Sequence, residues 1–308
     1  MLAPILISVY DRKKSLEECI EMLKKNELAK DSLLFIVSDQ GHNEEKKKIV
    51  QSIREYVKEL EGFKKIILIN RDKNLGSYNS LKLAITELLD KYGKIIFLED
   101  DIRVSKYFIK YMNEGLDKYE NDKRIFSICS YFFPNVNLDN ILKEDVFIWS
   151  RYSPWGMATW RDRWDKIDWK INEYENFIKD REKIKKYNQI ERTWLPILQE
   201  DIEKGKIAMD ARINFHMFLN NLYTLYPKKN ISVNRGHNDG GEHCGFDKKY
   251  FFQKLDEDFS PLFPSSLVKN EKVYKQLYIA HYSIKSHLIK PILIKFKLFK
   301  FINKLRGR

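Results

Sequence analysis

A chain of 308 residues has room for two average domains or one large one, and either buries enough apolar surface to stand without disulfides. With 43% hydrophobic residues, 32% charged residues and 20 Gly plus Pro, the composition excludes collagenous, disordered and cysteine-stapled classes. The formal net charge is +12, yet ten Lys or Arg follow Glu271 with no acidic residue among them, so residues 1–271 carry only +2 and a nearly neutral body argues against nucleic acid as a partner.

The opening run Met-Leu-Ala-Pro-Ile-Leu-Ile-Ser-Val-Tyr has neither a basic leader nor a small-residue cleavage site, so it is expected to be a first strand rather than a signal peptide. Cys19, Cys129 and Cys244 are an odd number and far apart, which favours a reduced, cytoplasmic protein. No apolar run reaches the length that spans a bilayer. After the apolar run 4–9, Ser15 opens a helical stretch with Leu16, Cys19, Ile20 and Leu23 on one face, and Glu18 completes a capping box. Residues 33–37 are apolar again, and Asn43 caps a segment bearing Ile49, Ile53 and Leu60. Residues 65–69 form a third run. Ser77 then precedes a helix with Leu81, Ile85, Leu88 and Leu89, and a fourth run, 94–98, ends in Glu99-Asp100-Asp101. Short buried strands separated by amphipathic helices need crossover connections, which predicts a parallel, doubly wound sheet covered on both faces. Such sheets bind ligands at the carboxyl ends of their strands, here residues 10–12, Asp39, residues 71–76 and residues 99–101.

No GxGxxG follows the first strand and no GxxxxGK[ST] occurs, so the usual backbone cradles for phosphate are absent. Three consecutive carboxylates repel one another unless a cation neutralises them, and hard oxygen ligands suit Mg2+ or Mn2+. A divalent ion there would act as a Lewis acid when a nucleoside diphosphate leaves a sugar. The alternative is that residues 99–101 cap a helix beginning near Ser105.

Ser-Val-Tyr-Asp-Arg after the first strand, Arg71-Asp72-Lys73-Asn74-Leu75-Gly76 opening a helix, and Phe97-Leu98-Glu99-Asp100-Asp101 together resemble the nucleotide-sugar domain of GT-A glycosyltransferases. The triplet is similar to the Asp-x-Asp variant best known in N-acetylglucosaminyltransferase I, and bacterial surface-glycan transferases are similar too. The resemblance covers residues 3–245. It implies an α/β, Rossmann-like GT-A fold with a mostly parallel sheet and helices on both faces. Residues 1–103 would form the nucleotide-sugar half and residues 104–245 the acceptor half, with a C-terminal extension over 246–308. It implies Asp101 as ligand of Mn2+ or Mg2+, with Glu99 and Asp100 near the ribose and base of a UDP-sugar. Tyr10, Asp11 and Arg12 would line the nucleotide, joined by Asp39 after the second strand and by Asn74 and Gly76.

The segment Arg151-Tyr152-Ser153-Pro154-Trp155-Gly156-Met157-Ala158-Thr159-Trp160 resembles the Gly- and Trp-rich stretch that these enzymes place beside the bound sugar. Trp155 and Gly156 are the expected sugar contacts, since aromatic rings match the C–H faces of sugars. Structural core is the rival role for Trp155, Trp160 and Trp164. The resemblance further implies Asp210, just before a helix through Phe215, Phe218 and Leu219, as general base, and His243 as a late metal ligand. The alternatives are that Asp210 only caps the helix, that His237 and His243 only bond loop backbone, or that Glu200 or Asp201 is the base. Cys244 beside His243 makes only a weak zinc pattern.

From residue 290 onward, a helix would place Lys297, Lys300 and Lys304 on one face and Leu298, Phe301, Ile302 and Leu305 on the other. These are the properties of a helix lying on an anionic membrane, expected over residues 285–308; the alternative is a helix packed on the domain. The whole reads as a metal-dependent, inverting transfer from a nucleotide sugar to a hydroxyl of a surface glycan such as lipopolysaccharide, lipid-linked acceptors included. The expected location is cytoplasmic, peripheral on the inner face of the plasma membrane. The competing readings are a nucleotidyltransferase of sugar metabolism and a non-catalytic, membrane-associated binding module.

Overall fold

The four apolar runs of the first hundred residues become β1 (Ile5–Val9), β2 (Leu33–Ser38), β3 (Lys65–Asn70) and β4 (Lys94–Glu99), paired in parallel in the order β3-β2-β1-β4. The computed structural model describes residues 1–134, 136–205, 207–236, 250 and 252–281. Between these strands lie α1 (Lys13–Lys24), α2 (Glu44–Lys58) and α3 (Ser77–Tyr92). Because strand side chains alternate between faces, Ile5, Ile7 and Val9 join Leu16 and Cys19 of α1 and Ile53 and Val57 of α2 in one core. Leu6 faces the other way, onto Ala84, Ile85 and Leu88 of α3. Asn43 caps α2 as expected, accepting from Lys46 N at 2.8 Å.

The capping box at Ser15 does not form. Helix α1 begins at Lys13, which puts Ser15 inside the first turn against the sheet, where its hydroxyl donates to Asp100 O at 3.2 Å. Glu18 turns to an ion pair with Arg103.

The second half supplies β5 (Ile102–Val104), α4 (Phe108–Lys118), β6 (Ile125–Cys129), β7 (Val146–Trp149), β8 (Met157–Trp160), β9 (Tyr223–Pro227) and β10 (Ser232–Asn234). Helices α5 (Arg161–Trp164), α6 (Tyr174–Phe177), α7 (Arg181–Ile190), α8 (Trp194–Lys204) and α9 (Met209–Leu219) lie between β8 and β9, and α10 (Glu271–His281) follows. The large sheet runs β3-β2-β1-β4-β8-β6-β9-β7, and β5 pairs with β10 separately. The expected parallel sheet is parallel over its first four strands and again between β6 and β9, and antiparallel at the other pairings. Strand β8 runs antiparallel to both β4 and β6, and β7 antiparallel to β9. A reversed strand needs no helical crossover. It starts at the carboxyl edge, with Met157 level with Phe97 of β4 and Cys129 of β6, so the loop carrying Trp155 and Gly156 enters at the ligand-binding end.

The chain after residue 252 packs against this body. Phe263 stacks on Tyr111 with ring centroids 5.3 Å apart and meets Tyr119 edge-on, while Leu267, Val273 and Leu277 are buried. Among the described residues, no helix is long and apolar enough to cross a membrane. The expected membrane helix at 285–308 lies outside the described residues.

Candidate active site

Strand β4 ends at Glu99, and Asp100 and Asp101 turn the chain directly into β5. The triplet does not cap a helix, because β5 intervenes and α4 starts only at Phe108. Asp100 and Asp101 are buried at 2% and 6% exposure, which makes their mutual repulsion costly. The chain supplies a cation of its own: Arg12, at the start of α1, donates Nη1 to Asp101 Oδ2 at 2.8 Å and Nη2 to Asp100 Oδ1. Burial nevertheless pushes Asp100 up to about 7, against the pull of Arg12. Glu99 is also raised well above the usual carboxylate range, by burial first and then by the charges of Asp101, Asp210 and Asp100.

One oxygen of this group has no partner among the described residues. Asp101 Oδ1 is buried without a hydrogen bond, while Oδ2 is held by Arg12. Beyond β10, Arg235 N donates to Asp101 O at 2.9 Å, and a Cβ added to Gly236 would lie 2.2 Å from Asp101 Oδ2, so only glycine lets the chain cross the carboxylate here. A buried, unpartnered carboxylate oxygen fits a hard divalent cation. No group of three His, Cys, Asp or Glu gathers among the described residues, so Asp101 is the residue here that would hold such an ion. The other expected ligand, His243, lies outside the described residues, as do His237 and Cys244.

The loops after β1, β2 and β3 meet beside the triplet. Tyr10 bonds His42 Nδ1 through its hydroxyl at 2.6 Å and stacks on that ring, and Asp11 pairs with Lys46. Asp39 is occupied in shaping the floor: its carboxylate accepts from Gln40 N at 2.9 Å and Leu75 N at 3.0 Å. Asn74 donates to Gln40 O at 2.6 Å, tying the same two loops together. Gly76 takes φ +78° to open α3, a conformation that favours glycine. Arg54, which sequence reasoning missed, braces these loops by donating Nη2 to Ser38 O and Arg71 O. Its only signal in the sequence is a charge on the apolar face of α2.

Across the sheet, Asp210 sits in the first turn of α9, where the helix dipole favours a carboxylate. Its carboxylate has no hydrogen bond or ion pair among the described residues, and burial pushes it up to about 6 against the pull of Arg151. Asp210 and Glu99 in turn both raise Tyr152, which places all three in one electrostatic neighbourhood. The alternative bases are engaged elsewhere. Asp201 is fully buried on Arg212, accepting from Nε at 2.7 Å, and Glu200 pairs with Lys204 at 2.9 Å. Arg151 was also missed as a site residue: its guanidinium lies among Phe133, Trp149 and Trp194 at 5.3–5.9 Å.

Trp155 is half-buried, edge-on to Tyr131 at 4.8 Å and to Tyr250 at 5.5 Å. Gly156 has φ +77°, and a Cβ there would meet Ser130 Oγ at 2.2 Å, so packing already demands this glycine. Trp160 and Trp164 are core, their ring N–H groups donating to Leu116 O and Thr86 Oγ1.

A family model described as the GNT-I family matches residues 1–205, which include the loops after β1 to β4 and Trp155 but stop short of Asp210. No curated protein matches the sequence. Among solved structures, the mannosyltransferase PcManGT from Pyrobaculum calidifontis, in complex with GDP-Man and Mn2+, is similar at 13% identity and a TM-score of 0.36, over 52% of this chain and 44% of that one. TarS 1-349 of S. aureus is similar at 12% identity and a TM-score of 0.38, over 74% and 60%. Its complex with UDP is similar at 15% identity and a TM-score of 0.33, over 51% and 46%. The chain spans less than two thirds of the length of each of these proteins.

Proposed function

The chain belongs to the GNT-I family, and from this premise we propose that it transfers a sugar from a nucleotide donor, a UDP-sugar, to a hydroxyl of a glycan acceptor with inversion at the anomeric carbon. The observation that carries this reading is the buried, unpartnered Asp101 Oδ1 at the end of β4, with Gly236 leaving no space above the other oxygen and Asp210 in the same electrostatic field as Glu99.

Arg12 holds Asp100 and Asp101 at one spacing, and the loops tied by Asp39 and Asn74 form the floor on which a nucleotide would lie. A Mn2+ or Mg2+ ion held by Asp101 would supply Lewis-acid stabilisation of the departing diphosphate. Asp210 accepts the proton of the attacking hydroxyl, whose oxygen bonds to the anomeric carbon as the bond from that carbon to the diphosphate oxygen breaks. One such displacement inverts the centre and needs no nucleophile from the chain. The acceptor class, a surface glycan carried on a lipid at the cytoplasmic face of the plasma membrane, is supported by the basic amphipathic sequence of residues 285–308.

The test is a panel of nucleotide sugars with Mn2+ or Mg2+, read as slow release of nucleoside diphosphate. One donor is expected to be hydrolysed and to raise the thermal midpoint through linkage, and Asp101→Ala is expected to lose both effects. Release of pyrophosphate from a nucleoside triphosphate would make the protein a nucleotidyltransferase. Turnover by Asp101→Ala with ordinary metal dependence would remove the triplet from the metal site.

A further inference from the structure

At the carboxyl ends of β6 and β9 lies a cavity of about 500 Å3 that the displacement does not use. Its size is that of a small-ligand site. Phe132 and Phe252 line it together with Asp139, Lys229, Asn230 and Gln253. The polar wall is tied together by its own bonds. Gln253, only 8% exposed, donates Nε2 to Asn230 Oδ1 at 2.9 Å, and the same oxygen accepts from Phe132 N at 3.1 Å. Asn230 N donates in turn to Asp256 Oδ2 at 2.8 Å. On the open side, Phe252 shows 69% of its surface and Asp139 is exposed.

The cavity has a fixed relation to the acidic triplet. Strands β6 and β9 are parallel to each other, and β6 is parallel to β4 because β8 runs antiparallel to both, so cavity and triplet open on the same edge of the sheet. Strand β10 joins them: Asn230 lines the cavity, Ser232–Asn234 pair with β5, and Arg235 N donates to Asp101 O. The five steps from Asn230 to Arg235, with Ser232–Asn234 in β10, span at most about 16 Å. An oligosaccharide covers such a distance. Between them Trp155 is the partly exposed ring, backed by the buried rings of Tyr131 and Phe133.

We propose that this cavity is a distal subsite for an oligosaccharide, holding the part of the acceptor glycan remote from the attacking hydroxyl. The inference rests on the transferase reading of the triplet. Aromatic faces beside amide, carboxylate and ammonium groups match a ligand that alternates C–H faces with hydroxyls. Lys228 and Lys229 balance the carboxylates of Asp139 and Asp256, which suits an uncharged ligand, and the interleaved polar groups disfavour a purely apolar chain. Binding remote from the reacting centre would lower the entropic cost of aligning the hydroxyl with Asp210.

The test uses the full chain on a printed array of oligosaccharides of two to six sugars, with Phe252→Ala and Asp139→Ala as exposed-site variants. Wild type is expected to retain members of three or more sugars, and each variant to lose about tenfold of that retention. Donor hydrolysis without acceptor is expected to be unchanged in both, so failure of the subsite is distinguishable from failure of the transferase reading. No retention of any oligosaccharide by wild type, or equal retention by wild type and both variants, overturns the subsite.

Discussion

Three adjacent carboxylates at the end of a buried strand repel one another, and Arg12 is the side chain that makes the arrangement tolerable by bonding two of them. Asp210 has no such partner. Burial lifts it from 3.8 to about 6, so the folded chain binds that proton more tightly than the unfolded chain does. The protonated carboxyl therefore favours folding below about pH 4, and this contribution is lost as pH rises through 6. At neutral pH the buried charge costs about 3 kcal/mol at most, since the side chain is only half-buried. Asp210→Asn is expected to keep donor binding, to lower transfer by about 10²–10⁴-fold, and to raise the thermal midpoint at pH 7.5 but not at pH 4. In the wild type, kcat/KM is expected to fall about tenfold per pH unit below about pH 6. A flat profile between pH 5 and 8 would move the base elsewhere.

At the scale of elements, α9 carries Asp210, and what sets α9 in place is the α8–α9 clamp. Asp201 of α8 accepts from Arg212 Nε and Nη2 and from Ala208 N, and Arg212 Nη1 reaches on to Trp169 O. Removing Asp201 leaves a largely buried guanidinium without its carboxylate. Asp201→Ala is expected to lose about 3–5 kcal/mol in urea unfolding. Glu200→Ala, which breaks an exposed helix-surface pair with Lys204, is expected to stay within about 0.5 kcal/mol and to keep full transfer activity. Loss of transfer in Glu200→Ala with an unchanged fold would make Glu200 the base.

For the whole molecule, the described C-terminal chain packs on the body up to residue 281. Before it, Lys118 Nζ donates to Phe263 O, the Tyr119 hydroxyl to Pro264 O, and Val273 and Leu277 fill the core beside Tyr226. After it come residues 285–308, which lie outside the described residues and hold eight Lys or Arg with no acid. At up to about 1 kcal/mol per basic residue near an anionic surface, plus an apolar face, that segment would outweigh the cost of ordering one short helix. Deleting 285–308 is expected to release the protein from anionic vesicles while donor hydrolysis and the thermal midpoint stay unchanged. Added salt is expected to weaken the attachment of the full chain. If the truncated protein unfolds, or the full chain ignores anionic vesicles at low salt, the membrane role fails.

What the sequence by itself determined is local. Apolar runs of strand length and faces of period 3.6 are written in neighbouring residues, so β1 to β4, the helices between them and an acidic triplet at a strand end were legible, and Asn43 capped α2 as its position dictates. The likeness to GT-A enzymes rested first on those same segments, inside the matched residues 1–205, while its extension to Asp210 and His243 lies beyond them. What only the tertiary structure decided depends on partners far along the chain. Arg12 and Asp100 are 88 residues apart, and no local pattern announces that bond. Ser15 and Glu18 spell a capping box, yet Asp100 O and Arg103, brought close by β5, take both side chains. The direction of β8 is equally silent in its four buried residues, because strand direction is set by which neighbours it pairs with, and here they are β4 and β6. That pairing carries Trp155 to the ligand edge, as the run of Asn230 to Arg235 along β5 spaces the distal cavity from Asp101. Hydrogen-bond register across distant segments fixes both, and register is a property of the folded chain.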